Sequence, residues 1–360
     1  MTKKLLALTL VTVLVLSLAI GCTPKTEQPA QPDQSNEQPG DNQAQPEAPK
    51  DDKKFVVGMI TDTGGLGDQS FNDSAWAGLK KAESELGVEA KVLESQSADD
   101  YGPNLTSFSE SGADLVIGVG FLFEESMKAA AEQFPQQKFA VVDTVIDAPN
   151  VASLTFANHE GSYLVGVAAG LTTKSNKIGF IGGMKFPLIE EFEYGFRAGV
   201  KAVNPNAEVF VQYADSFDDS AKGKEIALAQ HQMGADVIYH AAGGVGVGLM
   251  QAAEEKGFWA IGVDQDQSAL APEHVLCSAI KRVDTSTFEI TKTAKEGTFE
   301  GGKVYTFDVS NDGMGYSDNA GNLPEDVKAI METHKQAIID GKIVVPKIEA
   351  EFTAFEAPQL

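Results

Sequence analysis

The chain has 360 residues, a formal net charge of −24 at pH 7, and two cysteines. The charge argues against nucleic acid or an anionic lipid surface as a partner, because the phosphate groups would repel the chain. Two cysteines are too few for a metal site built on cysteine. A globular part of about 300 residues is long for one core and suits two domains.

The amino terminus has the pattern of a bacterial lipoprotein signal. Two lysines precede the apolar run Leu5–Ile20, and small residues stand before Cys22. A basic start, an apolar stretch and small residues at a cut site are typical of a secretory signal peptide. The segment Leu18–Cys22 resembles a lipobox, with Ala19 in place of the usual leucine. We therefore predict a signal peptide over 1–21 and acyl chains, such as palmitate, on Cys22.

The alternative is that Leu5–Ile20 is an uncleaved anchor and Cys22 an ordinary thiol, although the run is close to the lower length limit for a spanning helix. Two or more acyl chains hold a protein stably on a membrane. We therefore expect a lipid-anchored protein on the extracytoplasmic face of the cell membrane. The other cysteine, Cys277, lies in an apolar run and is interpreted as a small core residue.

Residues 22–53 are predicted to form a lipidated cysteine followed by a disordered tether. The tract is rich in Pro, Gln, Glu, Asp and Asn and has almost no apolar residues. Such a composition buries too little apolar surface to offset the entropy of ordering. From residue 54 onwards the composition changes to that of a folded protein.

Short apolar strands then alternate with helices, which predicts βαβ units and a parallel sheet covered on both faces. In the first half, strands are predicted over 55–60, 88–93, 114–119, 138–143 and 151–156, and helices over 73–87, 102–112 and 123–134. After His159 the alternation restarts. Strands are predicted there over 177–181, 208–213, 236–240, 259–263, 275–280 and 304–309, and helices over 161–173, 190–203, 220–232, 245–256, 284–297 and 325–341.

The predicted fold class is α/β, with two doubly wound parallel-sheet domains joined by a three-strand hinge. Crossovers are expected near 157–161, 281–284 and 308–312. The elements after the second sheet exceed what that sheet needs, so part of them is expected to return to the first domain. The predicted lobes are 54–158 with 282–310, and 159–281 with 311–360.

Ligands bind parallel sheets beyond the carboxyl ends of the strands, so the loops there hold the candidate site residues. After the first strand, the glycine-rich loop 61–73 contains Phe71, whose alternative role is a staple onto the next helix. Other strand ends carry Asp143, Tyr239, Asp264 and Lys281. Aromatic rings stack on bases, and carboxylates accept hydrogen bonds from ring N–H groups and sugar hydroxyls. This inventory favours a nucleoside over a phosphate or a long apolar chain.

Motifs for catalysis or cofactor binding are incomplete. The glycines over 243–248 do not complete G-x-G-x-x-G, because Leu249 stands at the third glycine position read from Gly244. The histidines show no metal spacing, and no G-x-S-x-G elbow is present. His240 could act as a general base, but a hydrogen-bonded loop histidine is the simpler interpretation. We expect no enzyme, no cofactor and no metal.

Six short blocks carry a resemblance to a known family. They are Gly64–Asn72, Asn158–Gly166, Ile181–Met184, Phe192–Gly199, Ala242–Gly246 and Ile261–Asp266. In this order, and across nearly the whole folded part, they resemble the basic membrane lipoprotein family. The resemblance implies a type I periplasmic-binding-protein fold and the nucleoside-binding subunit of an ABC importer, with purine nucleosides as the expected ligands.

In members similar to the purine nucleoside receptor, the base lies between two aromatic rings, with carboxylates on the base and the ribose. By position, Phe71 matches one ring, and Tyr239 or its rival Phe192 matches the second. Asp143 would face the base edge. The complete set of ligand-binding residues expected from the loops and the resemblance is Asp62, Ser70, Phe71, Asn72, Asp143, Phe192, Tyr239, Gly243, Gly244, Asp264 and Lys281, with Asp62, Asp264 and Lys281 near the sugar.

The expected mechanism is capture of a nucleoside by an open form, closure about the hinge, and docking on an ABC permease and ATPase complex. Two other classes stay open at this point. One is a lipid-anchored hydrolase that processes nucleosides. The other is a surface sensor or adhesin that uses the same fold without transport.

Overall fold

Two six-stranded sheets form the framework of residues 53–359, the part of the chain that the structure, a computed structural model, describes. The expected signal peptide, Cys22 and nearly all of the expected tether lie outside these residues. Elements are numbered below in chain order. The predicted α/β class with two parallel-sheet units is confirmed.

The first sheet has the spatial order β11-β5-β4-β3-β1-β2, and all its strands run parallel. Its strands are β1 (Val56–Ile60), β2 (Glu89–Leu93), β3 (Leu115–Val119), β4 (Phe139–Val142), β5 (Val151–Phe156) and β11 (Val304–Phe307). The helices associated with it are α1 (Phe71–Leu86), α2 (Tyr101–Glu110), α3 (Glu124–Gln133) and α8 (Val283–Glu296). The central strands β3 and β4 are buried along their whole length, which explains their continuous apolar sequences.

The second sheet has the order β12-β10-β9-β8-β6-β7. Its strands are β6 (Lys177–Gly182), β7 (Glu208–Tyr213), β8 (Val237–Ala241), β9 (Trp259–Asp264), β10 (Val275–Lys281) and β12 (Met314–Ser317). The remaining helices are α4 (Asn158–Thr172), α5 (Pro187–Val203), α6 (Ser220–Gln232), α7 (Val245–Lys256), α9 (Glu325–Ile339) and α10 (Glu349–Ala354). The strand β12 runs antiparallel to β10, and the other pairs are parallel.

The chain passes between the two sheets three times, as predicted. It leaves β5 for α4 at Ala157, leaves β10 for α8 at Arg282, and passes from β11 to β12 through residues 308–313. The strand β11 lies beside β5, so part of the trailing chain does return to the first sheet. The lobe boundaries proposed from the sequence stay a prediction.

Several elements differ from the sequence-based expectation; α4 and α5, for example, each begin three residues before their predicted starts. The helix α1 begins at Phe71, two residues before its predicted start, so the Phe71 ring is carried by the first helical turn. The strand β12 and the short helix α10 were not predicted. The sequence 314–317 has a glycine and a serine among only four residues, which is too short and too weakly apolar for a strand pattern.

The helices α4 and α5 cross at close range because glycines line their contact. A Cβ atom added at Gly199 would lie 2.1 Å from the Tyr163 carbonyl oxygen, and one at Gly166 would lie 2.2 Å from the Phe196 carbonyl oxygen. Contacts that short are absent from real structures, so only glycine fits at these positions. This packing fixes α5, the helix that carries Phe192.

Among residues 53–359, no helix has both the length and the apolar character needed to cross a bilayer.

Candidate functional site

A cavity lies where the carboxyl ends of the two sheets face each other. The space between the lining residues is about 520 Å³, and this figure includes open solvent at the cavity mouth. The first sheet contributes the loops after β1, β3 and β4. The second sheet contributes α5, the ends of β8 and β9, and the last residue of β10.

Most of the residues expected from the sequence line this cavity. They are Asp62, Phe71, Asn72, Asp143, Phe192, Gly243, Asp264 and Lys281. Two others lie directly behind it. Ser70 is fully buried and donates a hydrogen bond from its hydroxyl to an Asp264 carboxylate oxygen. A Cβ atom at Gly244 would lie 3.8 Å from the Asp68 Cα, so Gly244 is at the contact between loops of the two sheets.

The expectation that Tyr239 provides an aromatic ring for the ligand needs correction. Its side chain is fully buried and does not line the cavity. The ring centroid lies 4.9 Å from that of Phe196 and 5.7 Å from that of Phe180, and the hydroxyl is 3.1 Å from Ser162 Oγ. The reason is that β8 continues to Ala241, so Tyr239 is an interior strand residue. Its rival Phe192 lines the cavity.

Lys281 is a buried cationic side chain that lines the cavity. Its side chain is 2% exposed, and its Nζ lies 2.6 Å from an Asp143 carboxylate oxygen. The same ammonium lies 4.9 Å from the ring centroid of Phe71 and 5.4 Å from that of Phe192. A cation at this distance from an aromatic face is stabilised by the ring quadrupole. Phe71 is on α1, beside the first sheet, and Phe192 is on α5, beside the second. The Lys281 side chain therefore contacts one ring from each side of the cavity.

The loop before α1 is held by its own carboxylates. Asp68 accepts hydrogen bonds from the backbone N–H groups of Ser70 and Asn72, at 2.9 and 2.8 Å. The Asn72 amide donates to Asp62 at 2.8 Å and to Asp68 at 3.2 Å. Gly65 and Gly67 both have positive φ, which lets the chain turn tightly enough for these contacts.

Asp143 and Asp264 occupy matching places in the two sheets. Each stands at the carboxyl end of its strand, and each has a left-handed backbone conformation, with φ of 69° and 67°. Aspartate adopts this conformation more readily than most residues. The geometry turns the chain sharply at the strand end, and both side chains line the cavity.

Burial changes the acidity of the cavity carboxylates. Burial raises the pKa of Asp62 to about 6, although hydrogen bonds from Asn72 and Gly64 lower this pKa. Burial likewise raises the pKa of Asp264 to about 6, while the Lys281 ammonium and the Ser70 hydroxyl lower it. The charged forms are disfavoured because a buried carboxylate loses its hydration.

Two residues that line the cavity carry an oxygen without a hydrogen-bond partner in the part of the chain that the structure describes. Asp143 Oδ1 and Asn72 Oδ1 are buried, and neither has a partner among residues 53–359. A buried polar atom without a partner is costly. A bound molecule with N–H or O–H donors would satisfy both.

Several residues that line the cavity were not predicted to bind ligand, including Asp68, Phe121, Leu188 and Phe217. Asp68 lies within the quoted loop, Phe121 and Phe217 follow the ends of β3 and β7, and Leu188 stands one helical turn before Phe192. The loop-after-strand pattern used for Asp143 would also have found Phe121. In the part of the chain that the structure covers, no three His, Cys, Asp or Glu side chains are placed to hold a metal ion.

Two sheets of mainly parallel strands with a cavity between their carboxyl ends define the type I periplasmic-binding-protein fold class. In agreement, the crystal structure of ABC transporter solute-binding proteins from Aeropyrum pernix K1 is similar to this chain. The TM-score is 0.76 and the sequence identity 30%, over 83% of this chain and 96% of that one.

The chain belongs to the Bmp family, described as "ABC transporter substrate-binding protein PnrA-like", whose model matches residues 55–349. The resemblance drawn from the sequence blocks is thereby confirmed. The "CD4+ T-cell-stimulating antigen" of Listeria monocytogenes is 43% identical over 320 residues, covering 83% of this chain and 90% of the relative. The "ABC transporter nucleoside-binding protein BmpA" of Lactococcus lactis subsp. cremoris is 42% identical over 319 residues, covering 82% and 90%.

Proposed function

We propose that this substrate-binding protein captures nucleosides, with purine nucleosides preferred, and delivers them to an ABC permease and ATPase complex. The observation that carries the proposal is that Phe71 and Phe192 line one cavity from opposite sides, with ring centroids 4.9 and 5.4 Å from the same Lys281 ammonium. A planar base between two rings gains stacking free energy from both. The nucleoside-binding Lactococcus relative supports the same class of ligand.

The polar groups fit the rest of a nucleoside. In the proposal, Asp143 Oδ1 and Asn72 Oδ1 accept hydrogen bonds from the base edge, since neither oxygen has a partner among residues 53–359. Asp62, Asp264 and Lys281 serve the ribose hydroxyls, which donate to carboxylates and accept from an ammonium. The ligand is bound and released unchanged, as suits a family of transporter binding proteins.

The anchor and the hinge complete the proposal. Acyl chains on Cys22 hold the protein on the extracytoplasmic face, and residues up to 53 serve as the tether. The two lobes predicted from the sequence close on the ligand about the three crossovers. The ligand increases the population of the closed form to the extent that it binds the closed form more tightly than the open form.

Calorimetric titration with inosine, guanosine, adenosine, uridine and ribose tests the ligand class. We expect purine nucleosides to bind, uridine to bind less tightly because its ring stacks over a smaller area, and ribose to give no measurable heat. Absence of heat from every nucleoside would contradict the proposal. Chromatography of the recovered inosine serves as a second readout, since release of the free base would indicate a hydrolase.

Substitution of the second ring sharpens the test. Phe192→Ala should weaken inosine binding by roughly 5- to 150-fold, because base–aromatic stacking contributes about 1–3 kcal/mol. Tyr239→Phe is the matched control: it removes a hydroxyl that contacts Ser162 in the core, and should leave the Kd unchanged. An inosine Kd in Phe192→Ala equal to that of wild type would exclude Phe192 as the second ring.

A further inference from the structure

Gln267 lies outside the cavity lining but connects the two sheets behind it. The residue follows β9 and is 2% exposed. Its Nε2 donates a 2.8 Å hydrogen bond to the backbone carbonyl of Gln69, in the loop that carries Ser70 and Phe71. Gln69 belongs to the first sheet's loops and Gln267 to the second's, so this hydrogen bond crosses the cleft.

The partners of Gln267 fix the orientation of its amide. Its Oε1 lies 3.0 Å from the Val263 backbone nitrogen, which can only donate, and its Nε2 faces the Gln69 carbonyl, which can only accept. The oxygen must therefore also accept the hydrogen bond from His240, whose Nε2 lies 2.8 Å away. His240 thus carries its proton on Nε2. Along this buried chain, His240 donates a hydrogen bond to Gln267, and Gln267 donates one to Gln69.

Two glycines make room for this chain. A Cβ atom at Gly246 would lie 1.9 Å from the His240 ring, and one at Gly262 would lie 2.7 Å from Gln267 Oε1. The Gln267 backbone N–H also donates to Ser278 Oγ at 3.1 Å, which ties the residue to β10. The amide is therefore held from several sides within the second sheet, and only its Nε2 reaches out to the first.

We propose that Gln267 is a positioning residue for ligand capture, which locks the loop at 67–72 against the second sheet already in the protein without ligand. The lock acts beside the Ser70–Asp264 hydrogen bond, the other polar link between these loops. By holding Gln69, Gln267 fixes Ser70 on Asp264 and Phe71 at the start of α1. Gln267 touches no ligand, so its effect on binding is indirect.

The lock is tested with Gln267→Met, which keeps the length of the side chain and removes its hydrogen bonds. Gln230→Met is the matched control: Gln230 is equally buried, and its Nε2 donates to the Phe180 carbonyl at 3.0 Å, inside the second sheet. Amide hydrogen exchange of the full chain without ligand is the first readout. We expect peptides covering 63–72 to exchange about tenfold faster in Gln267→Met, as the loss of one buried hydrogen bond allows, and to be unchanged in Gln230→Met.

The second readout is inosine dissociation by stopped flow, and it rests on the proposed nucleoside function. We expect roughly tenfold faster dissociation for Gln267→Met, with the association rate less affected. If wild-type protein does not bind inosine, the proposed nucleoside function is wrong. The hydrogen-exchange measurement still tests the role of Gln267, because it needs no ligand. Unchanged exchange at 63–72 in Gln267→Met, or equal acceleration in both variants, would overturn the lock.

A folding defect would leave these results open to another explanation, so a second variant is needed. Replacing Gln267 alone strands the His240 donor, whereas the double variant His240→Leu, Gln267→Leu removes that donor together with its acceptor. Removing both members of a buried hydrogen bond costs far less stability than removing one. The double variant should show the same fast exchange at 63–72, and protection there equal to that of wild type would overturn the lock.

Discussion

The carboxylates in the cavity are stabilised by different partners, and Asp62 has the weakest set. Asp143 pairs with the Lys281 ammonium. Within residues 53–359, Asp62 receives hydrogen bonds only from neutral donors, the Asn72 amide and the Gly64 N–H group. A buried carboxylate without a neighbouring cation destabilises the fold when it is ionised. Asp62 therefore carries a cost in stability that is consistent with a role in binding.

Asp62→Asn should stabilise the ligand-free protein at neutral pH. The pKa of Asp62 is raised from 3.8 to about 6, so the native state binds more protons than the unfolded state between these values. Stability conferred by this group then falls as the pH rises through that window. The shift corresponds to a cost on the order of 3 kcal/mol above pH 6. Urea unfolding should show Asp62→Asn more stable than wild type at pH 7.5, with a much smaller difference at pH 4.5.

The matched control for this experiment is Asp99→Asn, at an exposed carboxyl. It should change the free energy of unfolding by less than about 0.5 kcal/mol at both pH values. An equal gain in stability for Asp62→Asn at pH 7.5 and pH 4.5 would contradict the proposed cost of ionisation.

The sequence identifies site residues well where they end a strand. Asp143 and Asp264 were predicted because parallel strands bring their carboxyl ends to one edge, and both line the cavity. Tyr239 was misplaced because strand ends are uncertain by a residue or more, and β8 runs on to Ala241. The Gln267 link was not predicted, since it depends on how two distant segments meet in space.

At the scale of elements, the pairing of α4 with α5 determines where the second aromatic ring stands. The two helices approach so closely that backbone atoms of α4 face the glycines of α5. Helix α5 begins at Pro187, and its second turn carries Phe192 to the cavity. A change in the distance between these helices would therefore move the ring.

Gly199→Ala should destabilise the protein and weaken ligand binding together. Its Cβ atom would lie 2.1 Å from the Tyr163 carbonyl oxygen, a rigid backbone atom. Overpacking of this kind costs about 1–3 kcal/mol. Urea unfolding is the measurement for stability, and inosine titration is the measurement for binding.

Gly102→Ala, in the first turn of α2, is the control for Gly199→Ala. A Cβ atom there would have no neighbour within 4 Å. Since alanine reduces the entropy of the unfolded chain, Gly102→Ala should stabilise the protein by about 0.4–1 kcal/mol and leave binding unchanged. Equal stability changes for the two variants would exclude the close helix contact as the cause.

The regular alternation of elements could be predicted, but the irregular ones could not. Buried parallel strands give continuous apolar runs, and helices between them end at glycines, as at Gly87, Gly257 and Gly297. The strand β12 lacks both signals, because it is a short antiparallel edge strand whose register is set by β10. Its place depends on tertiary pairing rather than on its own sequence.

At the scale of the whole molecule, the structure has the two sheets in contact across the cleft. Phe121 and Phe186 meet edge to face, with ring centroids 5.1 Å apart, and Ser70 reaches Asp264. Opening the cleft requires these contacts to break, and a ligand favours the closed form only by its differential affinity. Holding the protein near a permease is the role proposed for the lipid on Cys22.

Cys22→Ala should release the protein from the membrane without changing its binding. Stable anchoring requires two or more acyl chains, and the lipobox-like segment Leu18–Cys22 offers one acceptor for them. Fractionation of cells and partition into detergent should find wild type with the membrane and Cys22→Ala in the aqueous phase. Cys277→Ala, which changes the buried free cysteine, should remain with the membrane. Retention of Cys22→Ala would show instead that Leu5–Ile20 stays attached as an apolar anchor, since that run is close to the shortest length that can span a bilayer.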